Sequence, residues 1–326
     1  MPLCNWARIK RLRKSKWELS ISKFRLITRP DFDGVVSGAL LYEREMVEDV
    51  IFAQPNEMQA GRVSVSDNDI MANLPYNENA VLCFDHHLSE TARVGERENL
   101  VIDPDSPSAA RVIYNHFGGR EGFPMFPTDL MKAVDQADSA DYSEEDILAP
   151  SDWTLVNFVT DPRTGLSRFG HFAISNDQLM IDLMHYCRRH EPAEILAIPD
   201  VEERVHLFLE HGEYAELQIR KNASVHGKTV AVDLRQEETI YACNRFMVYA
   251  LYPECNLSVY LNPLENSDTV EIAMGKSILD RSSNTNVGML MLDYGGGGHE
   301  AVGTCRVPKG EADDVLAALI AKIQSG

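Results

Sequence analysis

The chain is predicted to be α/β, with an N-terminal doubly wound, mostly parallel sheet domain, a smaller C-terminal α/β domain and a cleft between them. Three observations predict it. Short apolar runs alternate with segments of helical spacing up to about residue 145, the pattern of a sheet whose strands are joined by crossover helices. Several of those runs are apolar throughout, as strands covered on both faces are. A second set of strand and helix signals starts near residue 206, after a stretch rich in Pro, Asp and Arg.

Element by element, the first domain spans 21–145. FRLIT (24–28) reads as a strand and is followed by the turn RPDFDG and a helix over VVSGALLYEREMV. DVIFA (49–53), DIMAN (69–73), AVLCF (80–84) and LVI (100–102) read as further strands. PSAARVIYNHF and PTDLMKAVDQADSAD have helical spacing, with Ser108 and Thr128 as their caps. Residues 146–205 are predicted to be a mostly helical bridging segment. From 206 to 326, TVAVDL, LSVYL, VEIAM and VGTCRV read as strands. Helices are predicted over NRFMVYALY, NVGMLMLDY and EADDVLAALIAKIQ.

The chemistry gathers where strands of the first domain end, which in an open parallel sheet is where ligands bind. TRPDFDG places Asp31 and Asp33 two apart, with Gly34 allowing a tight turn into the helix. An acidic helix start explains such a pair equally well. AVLCFDHH ends a buried strand in Asp85, His86 and His87. Because the two elements follow separate strands of one sheet, they share an edge. Asp138 is the third candidate, with Asp135 and Asp141 as rivals in AVDQADSAD; positions 135 and 138 share a helix face. Carboxylates with one imidazole suit Mn²⁺ or Mg²⁺, whereas zinc draws more His and Cys.

In the second domain, YGGGGHEAVG follows an apolar helix. Its glycines let backbone N–H groups approach an anion, so Gly296, Gly297, Gly298 and His299 are read as substrate-binding. Arg281 is the nearest guanidinium for a phosphate. Arg163 and Arg168 in DPRTGLSRF reach a ligand or are simply solvated. Asn244 and Arg245 belong to a helix read as core, with contact to a ligand as the alternative reading.

Composition narrows the function classes. The formal net charge is −19 even though the first 25 residues hold eight Lys or Arg, so the body is strongly acidic. Long nucleic acid is disfavoured as a partner, and small ligands with divalent cations are favoured. The six cysteines form no CxxC pair, which fits a reducing cytoplasm. No apolar run is long enough to span a bilayer. Residues 1–20 read as a basic extension without the apolar core of a secretory signal. A homodimer is compatible with all of this.

DxDG, DHH and a distal GGGH, in this order over residues 22–326, resemble the DHH phosphoesterase family with its DHH-associated C-terminal domain. That family includes nano-RNases, cyclic-dinucleotide phosphodiesterases, a single-strand exonuclease and, more remotely, manganese pyrophosphatases. TRPDFDG, NLPY, FDHHLSE and DPRTGL are similar to a branch termed exopolyphosphatase-related. The resemblance implies a phosphoesterase acting on a small nucleotide or short oligonucleotide with one or two Mn²⁺ or Mg²⁺ ions. It implies that Asp31 holds one cation, that Asp33 and His86 hold the other with Asp138, that Asp85 orients its neighbours and that His87 faces the phosphate or serves the metal cluster. Two such cations stand about 3.5–4 Å apart and activate water between them. Arg281, His299 and the glycine loop would clamp the rest of the substrate. The family pattern is broken in two places. Ile27, Thr28 and Arg29 stand where a histidine is usual, and Asn73 matches a position usually held by a bridging aspartate, with Asp67 or Asp69 as candidates to compensate for it from the same segment. Exopolyphosphatase activity and an impaired nucleotide-binding protein are the alternative expectations.

Overall fold

The computed structural model describes residues 23–325, so the basic extension 1–20 lies outside the described residues. The described chain forms two compact units. Residues 23–141, 151–162 and 167–205 make the first, and 142–150, 163–166 and 206–325 make the second. Among the described residues no helix is long and apolar enough to cross a membrane.

The first unit is built on five parallel strands: β1 (Phe24–Thr28), β2 (Val47–Phe52), β3 (Asp69–Ala72), β4 (Leu82–Asp85) and β5 (Leu100–Ile102), in the order β2-β1-β3-β4-β5. Each predicted strand is present, within a residue or two of its predicted bounds. Leu26, Ile27, Ile70, Met71, Cys83 and Phe84 are almost fully buried, which is why these segments lack polar alternation. Ile27, Met71 and Cys83 pack with Met58 of the helix Pro55–Gln59. On the other helical layer, Phe32–Glu43 packs against the helices Ala109–His116, Thr128–Ser139 and Asn176–Tyr186. The sheet is therefore covered on both sides.

Register aligns the strand ends that matter. Thr28 pairs with Ala72, and Ala72 with Phe84, so β1, β3 and β4 finish in one row. The chain leaves β1 for β2 on one side and returns to β3 on the other. That reversal opens a crevice at the β1/β3 boundary, the usual ligand position for this strand order.

Two caps behave differently. Ser108 caps its helix as predicted, its hydroxyl accepting from Arg111 N at 3.0 Å. Thr128 does not cap. The N-cap position falls on Pro127, and Thr128 is already the first helical residue.

The second unit carries β6 (Ala223–His226), β7 (Thr229–Asp233), β8 (Leu257–Pro263), β9 (Thr269–Lys276), β10 (Gly297–Gly298) and β11 (Val302–Pro308) in a mixed sheet, order β10-β11-β9-β8-β7-β6. Only β7 and β8 are parallel. Val259, Ile272 and Met274 form its core with Val287 and Met291 of the helix Val287–Leu292 and Leu319 of the helix Ala312–Ser325. Strand β6 was not foreseen, because ASVH is an edge strand with Ser224 and Val225 exposed and no apolar run to mark it.

The glycine run is also part of this sheet. Gly297 pairs with Thr304 and Gly298 with Gly303, closing a hairpin beside the helix Val287–Leu292. A Cβ on Gly296 would lie 2.1 Å from the Thr304 carbonyl oxygen, which no side chain can tolerate. Gly295, at φ +71°, has open space around it. Gly296→Ala is therefore expected to destabilise the protein by about 1–3 kcal/mol through overpacking. Gly295→Ala should cost less, and comparative urea denaturation of the two variants checks the ranking.

Candidate metal centre

Three strand ends and two helices build the site. After β1, Arg29 precedes Pro30, which holds it extended. Asp31 is extended (φ −144°, ψ 176°) and caps the helix Phe32–Glu43, its Oδ1 accepting from Gly34 N at 3.0 Å. Gly34 is needed for close approach: a Cβ there would sit 2.1 Å from the Arg29 carbonyl oxygen.

Asp33 lies two residues further in, on the first turn of that helix, and is 2% exposed. Its two carboxylate oxygens accept from Ala109 N at 2.9 Å and Ala110 N at 2.8 Å, the first free donors of the helix Ala109–His116. A helix N-terminus is a favourable place for such a charge.

Strand β4 delivers Asp85, His86 and His87. Asp85 is buried, and its Oδ1 accepts from His86 N at 2.9 Å and from His87 Nδ1 at 2.7 Å. The His86 Nδ1 faces the Ser106 carbonyl at 3.2 Å, so in the neutral ring Nδ1 carries the proton and Nε2 is the nitrogen left for a metal ion. That Nε2 lies 3.0 Å from Asp138 Oδ2. Yet it has no partner with hydrogen-bond geometry, and neither has Asp85 Oδ2.

Asp33, His86 and Asp138 each offer a ligand atom, and these atoms lie within 4.8 Å of one another. The rival acids are placed elsewhere. Asp135 is held by the Arg111 guanidinium and by Ser108 Oγ at 3.0 Å. Asp141 follows the helix, beyond its αL residue Ala140. Residues 135 and 138 share a broad face but differ by roughly 60° around the axis, enough to separate their partners.

Electrostatics tells the same story. Burial pushes the Asp33 carboxyl well above the usual range, and the carboxylates of Asp138 and Asp31 push it further. Burial disfavours the His86 imidazolium, but Asp138, Asp33 and Asp85 overcome that and hold its pKa above the ordinary value. Both shifts describe a buried site with too much negative charge, where protons collect in default of a metal. A divalent cation fits these residues. The donors are two carboxylates and an imidazole, and the Cys83 thiol on β4 is pushed up to about 12 by burial, so it offers no thiolate. His87 is raised mainly by its bond to Asp85, and its side chain is 42% exposed.

Asn73, just beyond β3, adopts φ 56°, a conformation asparagine tolerates. Its Nδ2 donates to Asp31 Oδ1 at 3.3 Å and Oδ2 at 3.5 Å. Arg29 Nε lies 3.2 Å from Asp31 Oδ2. Asp69 sits at the opposite end of β3, bound to Arg25 Nε at 2.7 Å, and so takes no part. Ser106 was not foreseen. It acts through its carbonyl, held in place by Ser106 Oγ donating to Asp103 Oδ2 at 2.7 Å, and a backbone role leaves no mark in residue type.

In the second unit, His299 is exposed at the tip of the glycine hairpin. The N–H groups of Gly295, Gly296 and His299 donate to the carbonyls of Leu292, Met291 and Val302. The run therefore closes a hairpin through its backbone. Arg281 is exposed, with Nε donating to the Ile278 carbonyl at 3.2 Å. Asn244 is buried and structural, donating to the Ile147 carbonyl at 2.9 Å.

No family model matches the chain, and neither does any curated protein. Among solved structures, the chain is similar to PggH from Vibrio cholerae, a pGpG-specific phosphodiesterase of the DHH family. The two are 46% identical over 93% of this chain and 99% of that one, with a TM-score of 0.85. The chain belongs to the DHH phosphoesterase family. Two more distant solved structures share the fold. RecJ from Thermus thermophilus, in complex with Mn²⁺, is 12% identical with a TM-score of 0.52, covering 100% of this chain and 55% of that one. CDC45 from Entamoeba histolytica is 9% identical with a TM-score of 0.56, covering 98% and 99%.

Proposed function

We propose that the protein hydrolyses pGpG, or a linear dinucleotide closely like it, at its one internal phosphodiester. The observation that carries this is the Asp33–His86–Asp138 convergence in a chain 46% identical to PggH along nearly its whole length. Asp33, His86 and Asp138 would hold a Mn²⁺ or Mg²⁺ ion. When bound, such an ion supplies Lewis acidity toward phosphoryl oxygens and makes water more acidic.

The remaining steps belong to the chain itself. The helix Ala109–His116 fixes the Asp33 carboxylate through two N–H groups, and Ser106 fixes the His86 ring. Asp85 fixes the backbone of His86 and the ring of His87 together. With Nδ1–H committed to Asp85, the His87 Nε2 is the atom that gives a proton to the leaving 3′-oxygen. The raised pKa of His87 keeps that proton available near neutral pH. We retain Arg281 and His299 as nucleotide-binding residues. We assign the protein to the cytoplasm, with Cys83, Cys187, Cys255 and Cys305 as buried free thiols, and leave a homodimer as the proposed assembly.

Incubation with pGpG should yield two GMP per substrate in the presence of Mn²⁺. Chelation should abolish turnover and added Mn²⁺ restore it. Inorganic polyphosphate should not be degraded, in keeping with the net charge of −19. Release of phosphate from polyphosphate, with pGpG left intact, would turn the assignment to the other branch.

A further inference from the structure

The Asp31 side of the centre has a chemistry of its own. Among the described residues, the Asp33, His86 and Asp138 trio is the group of three that can hold a metal ion, and Asp31 is not in it. The Asp31 carboxylate is surrounded by donors. Gly34 N and Asn73 Nδ2 reach Oδ1 at 3.0 and 3.3 Å, and Arg29 Nε reaches Oδ2 at 3.2 Å. A carboxylate that accepts from two N–H donors and is ion-paired to a guanidinium is a poor ligand for a second cation. The acceptor beside it without a partner is the buried Asn73 Oδ1, a single neutral oxygen. Divalent cations of this kind are anchored by one or two carboxylates, with waters filling the rest of the shell, and a lone amide oxygen supplies no such anchor.

We infer that the centre binds one divalent cation, and that the Arg29 guanidinium serves in place of a second, neutralising a non-bridging phosphoryl oxygen of the substrate. Asn73 fits that arrangement. An aspartate there would add a fourth carboxylate to Asp31, Asp33 and Asp138, with only one metal ion and one guanidinium to balance them. The amide instead ties Asp31 in place without charge. Arg29 suits the task because its planar fork holds a carboxylate through Nε while its Nη nitrogens meet a phosphate. The side chain is 26% exposed, which leaves it in reach of substrate.

This rests on the proposed hydrolase reading, and one titration separates the two. Calorimetric titration of the metal-free protein with Mn²⁺ should give one equivalent per chain, with the uncoupled six-line electron paramagnetic resonance spectrum of an isolated ion. Two equivalents with an exchange-coupled spectrum would overturn the inference while leaving the hydrolase standing. No binding at all would overturn both. The R29H/N73D double variant should take up a second equivalent; continued binding of one would show that Arg29 and Asn73 do not decide the count. Arg29→Ala should keep one Mn²⁺ but lose on the order of 10²-fold in kcat/KM for pGpG, the scale of a lost charge-assisted grip. Added guanidinium chloride at millimolar concentration should restore part of it. Loss of the Mn²⁺ equivalent itself in Arg29→Ala would assign Arg29 a structural role and overturn its contact with phosphate.

Discussion

His86→Ala is expected to lower turnover of pGpG by on the order of 10³-fold, because a bound cation contributes several kcal/mol of transition-state stabilisation and each 1.4 kcal/mol is about tenfold in rate. The ring joins β4 to two different elements. Nδ1 is set by the Ser106 carbonyl and Nε2 by its position 3.0 Å from Asp138. Removing it takes away the one nitrogen in the ligand trio and leaves two carboxylates that repel each other. The metal-free fold should register the change as well. What is lost is the hydrogen bond to the Ser106 carbonyl, worth about 1 kcal/mol, together with the imidazolium charge that Asp138, Asp33 and Asp85 favour, so metal-free His86→Ala should unfold at a lower temperature than the parent. His87→Ala is the comparison that gives the result meaning. That variant should still bind Mn²⁺, because Asp33, His86 and Asp138 are intact, yet lose about 10²–10⁴-fold in kcat as a missing general acid does. Measured side by side, Mn²⁺ affinity separates the two histidines even where their activities are equally low. Equal Mn²⁺ affinity in parent and His86→Ala would remove His86 from the centre.

Much of this site can be read from residue order, for a definite physical reason. Apolar runs such as FRLIT and AVLCF mark covered strands, and in a parallel sheet the residues following each strand share one edge. That logic alone places Asp31, Asp33, Asp85 and His86 together. Where it stops, a long-range partner decides the matter. Asp135 and Asp138 are alike in sequence, and what distinguishes them is Arg111, 24 residues away, which holds Asp135. The helix after β1 begins at Phe32, three residues earlier than its apolar spacing suggests, because Asp31 caps it. Arg29 and Asn73 stand out in sequence as departures from a family pattern. Only the structure shows that both turn toward the same carboxylate. The glycine run reads in sequence as backbone laid open to an anion, whereas at Gly296 the structure gives a packing reason for glycine, since a Cβ there would lie 2.1 Å from the Thr304 carbonyl oxygen.

Asp33→Asn poses the sharpest test of how fold and chemistry share one side chain, since two large effects oppose each other there. The carboxylate accepts from both Ala109 N and Ala110 N. An asparagine supplies one acceptor and turns an NH₂ group toward the other donor, a loss of about 1.5–3 kcal/mol for a charged hydrogen bond. Against this, the buried carboxyl is held well above its usual pKa by burial and by Asp138 and Asp31, so its charge is itself destabilising near neutral pH. A neutral amide relieves that strain. In the metal-free protein the two effects should nearly offset, leaving the variant within about 1–2 kcal/mol of the parent. The cation breaks the tie. At a Mn²⁺ concentration 100 times Kd the parent gains about 2.7 kcal/mol of stability, whereas the amide no longer supplies the charge that made binding favourable, and that gain should vanish together with activity. Thermal unfolding of both proteins with and without Mn²⁺ reads all of these quantities. A variant that is still stabilised by Mn²⁺ as strongly as the parent would show that Asp33 caps the helix and nothing more.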